Sequence, residues 1–500
     1  DRPGHLIIGN DGGLNISYDD GLSWFKANTP PLGQFYSVEV DMQTPYNVFG
    51  GLQDNGVWTG PSTYRTDVSW QQYGKYPYKF IMGGDGMQVQ VDTRDNATVY
   101  TGYQFGYYYR LNMNDEDVAV PIKPRNDIGE ANFRFNWQSP ICLSRHVQDV
   151  LYFGSNKFHR STMKGDDMKA LSPDLSKNDK KGDVPYNTLT TIAESPMRFG
   201  LIYSGADDGS LWISKDVGYS WTDISKGLPK DLYISRVSPS SKVEGRVYVS
   251  LNGYRNDHFA PYIFVSEDYG ENWKSISSSL PHEPVNVIRE DIENENLLFA
   301  GTDNGFYLSL NRGKEWMSMN GALPRVAVHD AIIHPRDGEI VIGTHGRSLY
   351  AASLAEIRLL NDSVLNTAVE ILKVTAPNFS KNWGKSFDVF SDPAVPNLKL
   401  NYFSKDSGQV NIRVLTDKGI EVKNLTDTAE AGINLTDIKL SIEESVALKL
   451  SNSRDKKKHP YSIAIKAEDG AYYIPAGVYK VEIKSVNGIL KSKSFEILVK

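Results

Sequence analysis

The chain has 500 residues, a net charge of −7 and 40% hydrophobic residues. Single cores stop growing at about 250 to 300 residues, so this length predicts at least two domains. The negative charge gives no electrostatic basis for nucleic-acid binding, and no apolar run reaches the roughly 18 residues that a membrane helix needs. The one cysteine, Cys142, excludes a disulfide framework within the chain.

The first predicted strand, in HLIIGND, begins almost at residue 1 and leaves no room for an earlier strand of the same sheet. No charged-then-apolar signal peptide opens the chain. We therefore expect residue 1 to be a processed or truncated terminus.

A short phrase recurs along residues 1–355. It reads SYDDGLSW at 17–24, SKDVGYSW at 214–221, SEDYGENW at 266–273 and SLNRGKEW at 309–316, with a degenerate copy, STMKGDDM, at 161–168. The later three good copies are roughly 43 to 52 residues apart, the size of one four-stranded propeller blade. Ser and Asp side chains stabilise a tight turn, Gly accepts a positive φ and Trp packs between sheets. We expect Trp24, Trp221, Trp273 and Trp316 to occupy equivalent positions.

A second type of turn precedes these phrases. A β-branched or aromatic strand runs into a Gly-rich polar turn and back into a strand, as in VFGGLQDNGVW, YSGADDGSLWIS, FAGTDNGFYLS and VIGTHGRSLYAAS. Inner strands are predicted in FYSVEVD, MQVQVD, WQSPICLS, TTIAESP, YISRVSPS, VNVIRED and AVHDAIIHP. No sustained helical periodicity occurs before residue 355. The predicted fold is all-β, with a propeller of about seven blades over 1–355, alone or as part of a larger or double propeller.

After residue 355 the repeats stop. A connector over 356–375 leads to strands with clean apolar–polar alternation, such as LKLNYF, QVNIRVL and GVYKVEIK, which is typical of a half-buried antiparallel sheet. We interpret residues 376–500 as an Ig-like β-sandwich.

The segments IIGNDGGLNISYDDGLSW, PYNVFGGLQDNGVW and IHPRDGEIVIGTHGRSLY resemble bacterial sortilin-like Asp-box (BNR) propeller proteins, which are often labelled glycosyl hydrolases. The tail from NLKLNYF to FEILVK is similar to Ig-like modules that end secreted Bacteroidetes proteins. The resemblance implies export to the extracellular side of the outer membrane. It also implies further N-terminal blades or an outer-membrane complex as partners.

The polar turns and the starts of the inner strands are expected to bring polar side chains to one face of the propeller. The candidate ligand-binding residues there are Asp11, Gln53, Asp207, Asp208, Arg236, Arg289, Asp303, His329, His345 and Arg347. Asp54 and Asp85, both in Gly-flanked turns, are the candidate catalytic pair, because a glycosidase needs two carboxyl groups. The alternative for each Asp is a purely structural role, since Asp-Gly segments form good turns.

Arginines on different blades, Arg236, Arg289 and Arg347, also raise the hypothesis of a sialidase-like grip on a carboxylate. A metal site is not expected, because His329 and His334 lie at odd spacing on one strand and face opposite sides. No cofactor is predicted.

Two functions remain open from the sequence. The first, which we favour, is an extracellular or cell-surface binding module that holds a protein, peptide or glycan at the polar face. The second is a polysaccharide-cleaving hydrolase of the xyloglucanase-like propeller type that uses Asp54 and Asp85. Aromatic residues such as Trp58, Trp70, Trp137 and Tyr107–Tyr109 are candidates to stack on sugar rings, although they fit blade packing equally.

Overall fold

The computed structural model describes residues 2–10, 13–27, 32–65, 77–179, 186–319, 323–386, 391–453, 463–485 and 488–499. They belong to two compact units, Asp1–Leu354 and Ala355–Lys500. Strand accounts for 45% of the structure and helix for 4%, so the prediction of a β protein is confirmed.

Eight antiparallel sheets make up the described part of the first unit. The leading sheet contains β1 (Leu6–Asn10), β2 (Gly13–Ser17) and β3 (Phe25–Ala27). Sheet 1 contains β4 (Phe35–Val40), β5 (Asn47–Leu52), β6 (Gly56–Pro61) and β7 (Lys79–Met82). Sheet 2 contains β8 (Gln90–Val91), β9 (Thr98–Tyr103), β10 (Tyr107–Asn112) and β11 (Asp115–Pro121). Sheet 3 contains β12 (Ile141–Leu143), β13 (Leu151–Gly154), β14 (Phe158–Ser161) and β15 (Lys169–Ala170).

In sheets 4 to 7, as in sheets 1 to 3, neighbouring strands follow one another in chain order. Sheet 4 contains β16 (Leu189–Glu194), β17 (Ile202–Ala206), β18 (Leu211–Ser214) and β19 (Thr222–Asp223), and sheet 5 contains β20 (Tyr233–Pro239), β21 (Val247–Asn252), β22 (Tyr262–Ser266) and β23 (Lys274–Ser275). Sheet 6 contains β24 (Val285–Glu290), β25 (Leu298–Thr302), β26 (Gly305–Ser309) and β27 (Met317–Ser318), and sheet 7 contains β28 (Val328–Ile333), β29 (Glu339–Thr344) and β30 (Leu349–Ser353). A 3-10 turn at Tyr254–Asn256 follows β21.

The first strands of sheets 1 to 7 fall in the seven segments predicted as inner strands. Three of them, β4, β24 and β28, share one pattern in which the first, third, fourth and sixth side chains are buried. The second strands β13, β17 and β25 are buried along their whole length. Strands buried on both faces need cover from both sides, which here comes from the neighbouring sheets.

Hydrogen bonds of 2.6 to 3.2 Å join the first strands of neighbouring sheets, or the residues beside them. In order round the unit they are Ser37 Oγ to Met87 O, Ile141 N to Gln88 Oε1, Ser144 Oγ to Glu194 Oε2, Thr190 Oγ1 to Ile234 O, Ser235 Oγ to Val285 O, Arg289 Nε to Ala331 O, and Val38 N to Asp330 Oδ2. The contacts therefore lead from sheet 1 to sheet 7 and back to sheet 1.

The junction of sheet 7 with sheet 1 has two further polar links. Tyr46 Oη donates to Glu339 Oε2 at 2.7 Å, and His334 Nε2 lies 2.9 Å from Asp41 O. The tyrosine and histidine rings also pack together, with their centroids 4.2 Å apart. In the residues that the structure describes, β1 pairs only with β2 and β30 only with β29, so the leading sheet does not pair with sheet 7.

A serine anchors the repeated turns predicted at 17–24, 161–168, 214–221, 266–273 and 309–316. In each, the Gly N–H donates to the Ser hydroxyl four residues earlier at 2.8 or 2.9 Å. The Trp of each of the four good copies directly precedes the last strand of its sheet. Trp273 and Trp316 donate their indole N–H to Ile224 O and Ile276 O of the preceding sheet at 2.8 and 2.7 Å. These turns therefore help to hold neighbouring sheets together.

The second unit contains two short helices, α1 (Ala355–Arg358) and α2 (Asp362–Leu365), a longer helix α3 (Glu444–Ser453), and three sheets. The strands are β31 (Val369–Thr375), β32 (Asn397–Ser404), β33 (Gly408–Thr416), β34 (Glu421–Ala429), β35 (Gly432–Lys439), β36 (Ser441–Ile442), β37 (Tyr472–Tyr473), β38 (Gly477–Lys484) and β39 (Leu490–Ile497). The sheet orders are β31-β32-β35, β34-β33-β38-β39 and β36-β37. Segment 356–375, expected as a connector, holds α1, α2 and β31, and β31 pairs with β32 inside this unit.

At two further sheet junctions, a tyrosine of the second strand of one sheet donates to a glutamate of the first strand of the next sheet. Tyr152 Oη in sheet 3 donates to Glu194 Oε1 of sheet 4 at 2.7 Å, and Tyr248 Oη in sheet 5 donates to Glu290 Oε2 of sheet 6 at 3.0 Å. Tyr203 occupies the same position in sheet 4, but its hydroxyl has no partner among the described residues, because Pro239 stands where sheets 4 and 6 have glutamate.

This difference generates a stability prediction for two equally buried tyrosines. Tyr152→Phe should cost about 1.5 to 3 kcal/mol, because it removes a hydrogen bond to a buried carboxylate. Tyr203→Phe should be neutral or stabilising, because it removes a buried hydroxyl that has no partner. Urea unfolding of both variants beside the unsubstituted chain measures the difference, and equal costs would contradict the link.

Candidate functional site

The turns between the second and third strands lie along one edge of the sheets, which we call the polar edge. Each of four turns is fixed to the segment that begins its own first strand by a backbone N–H···O bond of 2.8 to 3.2 Å. These bonds run from Gln53 N to Gln34 O, Asp207 N to Thr188 O, Asp303 N to Pro284 O and His345 N to Ala327 O. The structure thus brings the predicted turn residues and the first-strand starts to the same edge.

Most of the predicted acidic residues at this edge hold the turns in place. Asp207 accepts from Thr188 N and Oγ1 at 3.0 and 2.8 Å, and Asp208 accepts from Lys177 N at 2.7 Å. Asp303 accepts from the Asn286 amide at 2.9 Å. Burial raises the pKa of Asp207 and Asp303 above their usual value. Their oxygens are therefore engaged in the fold.

The two candidate catalytic residues are adjacent, but the contact joins the side chain of Asp85 to the backbone of Asp54. Asp85 Oδ1 accepts the backbone N–H of Asp54 at 2.9 Å, and the Asp85 side chain is buried. Asp54 is exposed and has a φ of 58°, in the left-handed region that Asp tolerates in turns. The bond explains why an acid stands at position 85: it stabilises the turn of sheet 1.

Three rings pack at the junction of sheets 7 and 1. The imidazole rings of His329 and His345 are nearly parallel, with their centroids 4.3 Å apart. The centroid of the Tyr36 ring lies 5.3 Å from that of His345. Burial lowers the pKa of His329 to about 3, so this imidazole is neutral at pH 7, and burial also lowers the pKa of His345. The Tyr36 hydroxyl donates to Gln53 Oε1 at 3.0 Å. His345 Nδ1 has no hydrogen-bond partner in the described part of the chain.

Aromatic side chains continue along the polar edge at sheet 2 and the start of sheet 3. Trp137 is 39% exposed and meets Phe105 edge-on, with centroids 5.2 Å apart. Tyr107 is 46% exposed, stacks on Tyr103 at 5.3 Å and lies 3.5 Å from Lys123 Nζ. Of the aromatic candidates, Trp58 packs against Phe80 at 5.3 Å, and Trp70 lies outside the described residues. Exposed flat rings of this kind offer stacking surfaces.

The first strands of sheets 1 to 7 surround a second feature, a central cavity of about 500 Å³. Its charged lining includes Glu39, Arg145, Arg236, Arg289 and Asp330. Arg236 Nη2 and Arg289 Nη2 both contact Asp330 Oδ1, at 3.0 and 3.1 Å. The structure therefore brings together two of the three arginines in the predicted carboxylate grip.

Of the two remaining predicted residues, only Arg347 is among the described ones, and it does not line the cavity. Arg347 is exposed on the turn of sheet 7, where its backbone N–H donates to Thr344 Oγ1 at 3.0 Å. Asp11 lies outside the described residues. No group of three or more His, Cys, Asp or Glu suited to a metal ion occurs in the described ranges, and no helix there is long and apolar enough to cross a membrane.

Sequence reasoning missed Glu39, Arg145, Tyr36 and Arg255. Burial raises the pKa of Glu39 to about 7, and burial together with Arg236 lowers the pKa of Arg289 to about 10. Arg255 lies over the Tyr233 ring at 4.8 Å. Glu39 and Tyr36 stand in a segment identified as an inner strand, so the charged and aromatic positions of that strand were the available signal.

Comparisons with known proteins give structural likeness only. No family model matches the chain, and no curated protein matches it. The GH74 xyloglucanase from Xanthomonas campestris is similar over 75% of this chain and 59% of its own, with 15% identity and a TM-score of 0.50. The Niastella koreensis GH74 enzyme matches over 93% and 73% with 11% identity and a TM-score of 0.47.

The extracellular domain of a hybrid two-component system from B. thetaiotaomicron matches over 99% of this chain and 61% of that one, with 12% identity and a TM-score of 0.44. The chain thus spans about 59% of the length of the X. campestris enzyme. At 15% identity that likeness concerns the fold alone. The repeated four-stranded antiparallel sheets and this likeness show a β-propeller-like fold.

Proposed function

We propose that the chain is an extracellular or cell-surface binding module that holds a protein, peptide or glycan partner at its polar edge. The observation that carries this proposal is that the acidic side chains at the polar edge stabilise the turns, while aromatic side chains there face solvent. The acidic side chains of the turns accept hydrogen bonds from the fold, while Trp137 and Tyr107 are left 39% and 46% exposed. Exposed aromatic rings offer stacking surfaces to a partner, and an imidazole with a pKa of about 3, as in His329, is a poor general base at pH 7.

The proposal includes a finer description of the fold. Sheets 1 to 7 are the blades of a seven-bladed Asp-box (BNR) propeller, which the hydrogen bonds from sheet 7 back to sheet 1 support. The leading sheet belongs to a larger or double propeller in this proposal, and residues 376–500 form an Ig-like sandwich. Further N-terminal blades or an outer-membrane complex are its proposed partners.

The alternative is a polysaccharide-cleaving hydrolase that uses Asp54 and Asp85. One observation favours it: Asp54 is exposed beside Asp85 at the polar edge. The engagement of Asp85 with the Asp54 backbone argues against it, because a general acid or a nucleophile must be available to the substrate.

The two functions predict different outcomes with xyloglucan and mixed-linkage β-glucan. We expect no release of reducing ends from either polymer by the unsubstituted chain. For a hydrolase, Asp54→Asn and Asp85→Asn would abolish cleavage while the fold persists, because Asn keeps the shape but cannot exchange a proton. The amide oxygen that Asp85→Asn introduces would still accept the backbone N–H of Asp54. Cleavage by the unsubstituted chain that both variants lose would refute the binding proposal.

A second prediction concerns the aromatic residues of the polar edge. Labelled protein on glycan and peptide arrays should lose about five- to 150-fold in affinity for its ligands with Trp137→Ala. This range takes the loss of one stacked ring as about 1 to 3 kcal/mol, the value for a ring stacked on a nucleic-acid base. Tyr219 is the matched control: it is 67% exposed, but lies in the repeated turn at the opposite ends of the strands. Equal losses from Trp137→Ala and Tyr219→Ala would place the ligand elsewhere.

A further inference from the structure

The central cavity holds arginines whose hydrogen-bonding capacity is not used. A guanidinium carries five N–H donors in a fixed fork. Arg145 lines the cavity, is exposed to solvent there, and makes no hydrogen bond or ion pair with the described residues. Arg236 is 15% exposed, contacts Asp330 through Nη2, and has a buried Nε without a partner in the described part of the chain.

The carboxylates that line the cavity are engaged with other groups. Glu39 accepts from Val40 N and the Gln90 amide at 3.0 and 2.9 Å. Asp330 is shared between Arg236, Arg289 and the backbone N–H of Val38. Glu194 accepts from Ser144, Tyr152 and Gly200, while Glu290 accepts from Ser240, Ser241 and Tyr248 and lies 3.6 Å from Arg246. Their oxygens are thus occupied within the sheet junctions.

The walls and size of the cavity narrow the class of ligand. Its volume of about 500 Å³ is within the range of small-molecule sites, about 300 to 1,000 Å³. Apolar residues such as Val38, Ile192 and Ile332 stand among the charged ones. Guanidinium groups bind carboxylates through two parallel hydrogen bonds, and apolar walls accommodate the carbon chain.

We propose that the central cavity binds a small carboxylate ligand, held by Arg145 and Arg236. The carboxylate accepts from the unused N–H groups of both arginines, while Asp330 keeps Arg236 and Arg289 in place. This site is distinct from the polar edge, and its occupancy does not depend on which partner binds there.

Calorimetric titration of the full chain with malonate, succinate and inorganic phosphate, at constant ionic strength, tests the proposal. We expect saturable binding of at least one dicarboxylate, a loss of at least about tenfold with Arg145→Gln, and no change with Arg312→Gln, whose side chain is 46% exposed in the repeated turn at 309–316. Arg145 suits the test because its removal breaks no hydrogen bond or ion pair with the described residues, so folding should be retained.

Three results would overturn the proposal. The first is the absence of binding of either dicarboxylate at about 10 mM, roughly ten times a weak Kd of about 1 mM. The second is equal affinity of Arg145→Gln and the unsubstituted chain for the dicarboxylate. The third is tighter binding of phosphate than of both dicarboxylates. A thermal melt of each variant without ligand distinguishes lost binding from lost fold. None of these outcomes bears on the polar edge, so failure here leaves the binding-module proposal standing.

The pH dependence of this binding supplies a further prediction. Glu39 faces Arg145, Arg289 and Asp330, and accepts from the Gln90 amide at 2.9 Å. Its pKa is raised to about 7 by burial, so it loses its negative charge as the pH falls from about 8 to about 6. One carboxyl group of malonate or succinate stays ionised throughout this range. Affinity should therefore rise towards the lower pH, and Glu39→Gln should make it independent of pH. A Glu39→Gln variant with an unchanged pH profile would exclude this residue as the cause.

Discussion

Sheets that bury both faces depend on their neighbours, and this constraint governs the first unit. A strand such as β17, buried at every position, is stable only between two covering sheets. The row of sheets must then end in exposed apolar faces or return to its start. Asp330, His334 and Glu339 of sheet 7 reach Val38, Asp41 and Tyr46 of sheet 1, so the last sheet covers the first.

The leading sheet, in contrast, has apolar side chains that are exposed. β1 is exposed along its whole length, and Leu6, Ile7 and Ile8 are 41, 60 and 45% exposed. Its repeated turn has the same serine–glycine hydrogen bond as the others, yet Trp24 is 43% exposed where Trp316 is 8% exposed. The serine–glycine hydrogen bond is therefore the same in both places, and burial differs because a covering sheet is described in only one of them.

The same comparison explains how much the sequence could predict. The repeated turns depend on contacts within eight residues, so their motif identified them, including the degenerate copy at 161–168. The seven first strands also carry their own signal in apolar runs. The partners of Asp85 and Asp207 lie on other segments, 31 and 19 residues away, and nothing in a Gly-flanked Asp distinguishes a turn stabiliser from a catalytic acid.

The positions of the three predicted arginines, Arg236, Arg289 and Arg347, could not be told apart from the sequence. All three lie on sheets that meet round the cavity, but Arg236 and Arg289 stand in first strands and Arg347 in a turn at the polar edge. Arg145, directly after β12, lines the cavity instead of Arg347. The distinction follows from the architecture, because first strands surround the cavity and the turns between second and third strands define the edge. The first strands therefore supply most of the charge in the cavity, while the polar edge is formed by turns that can vary without disturbing the junctions between sheets.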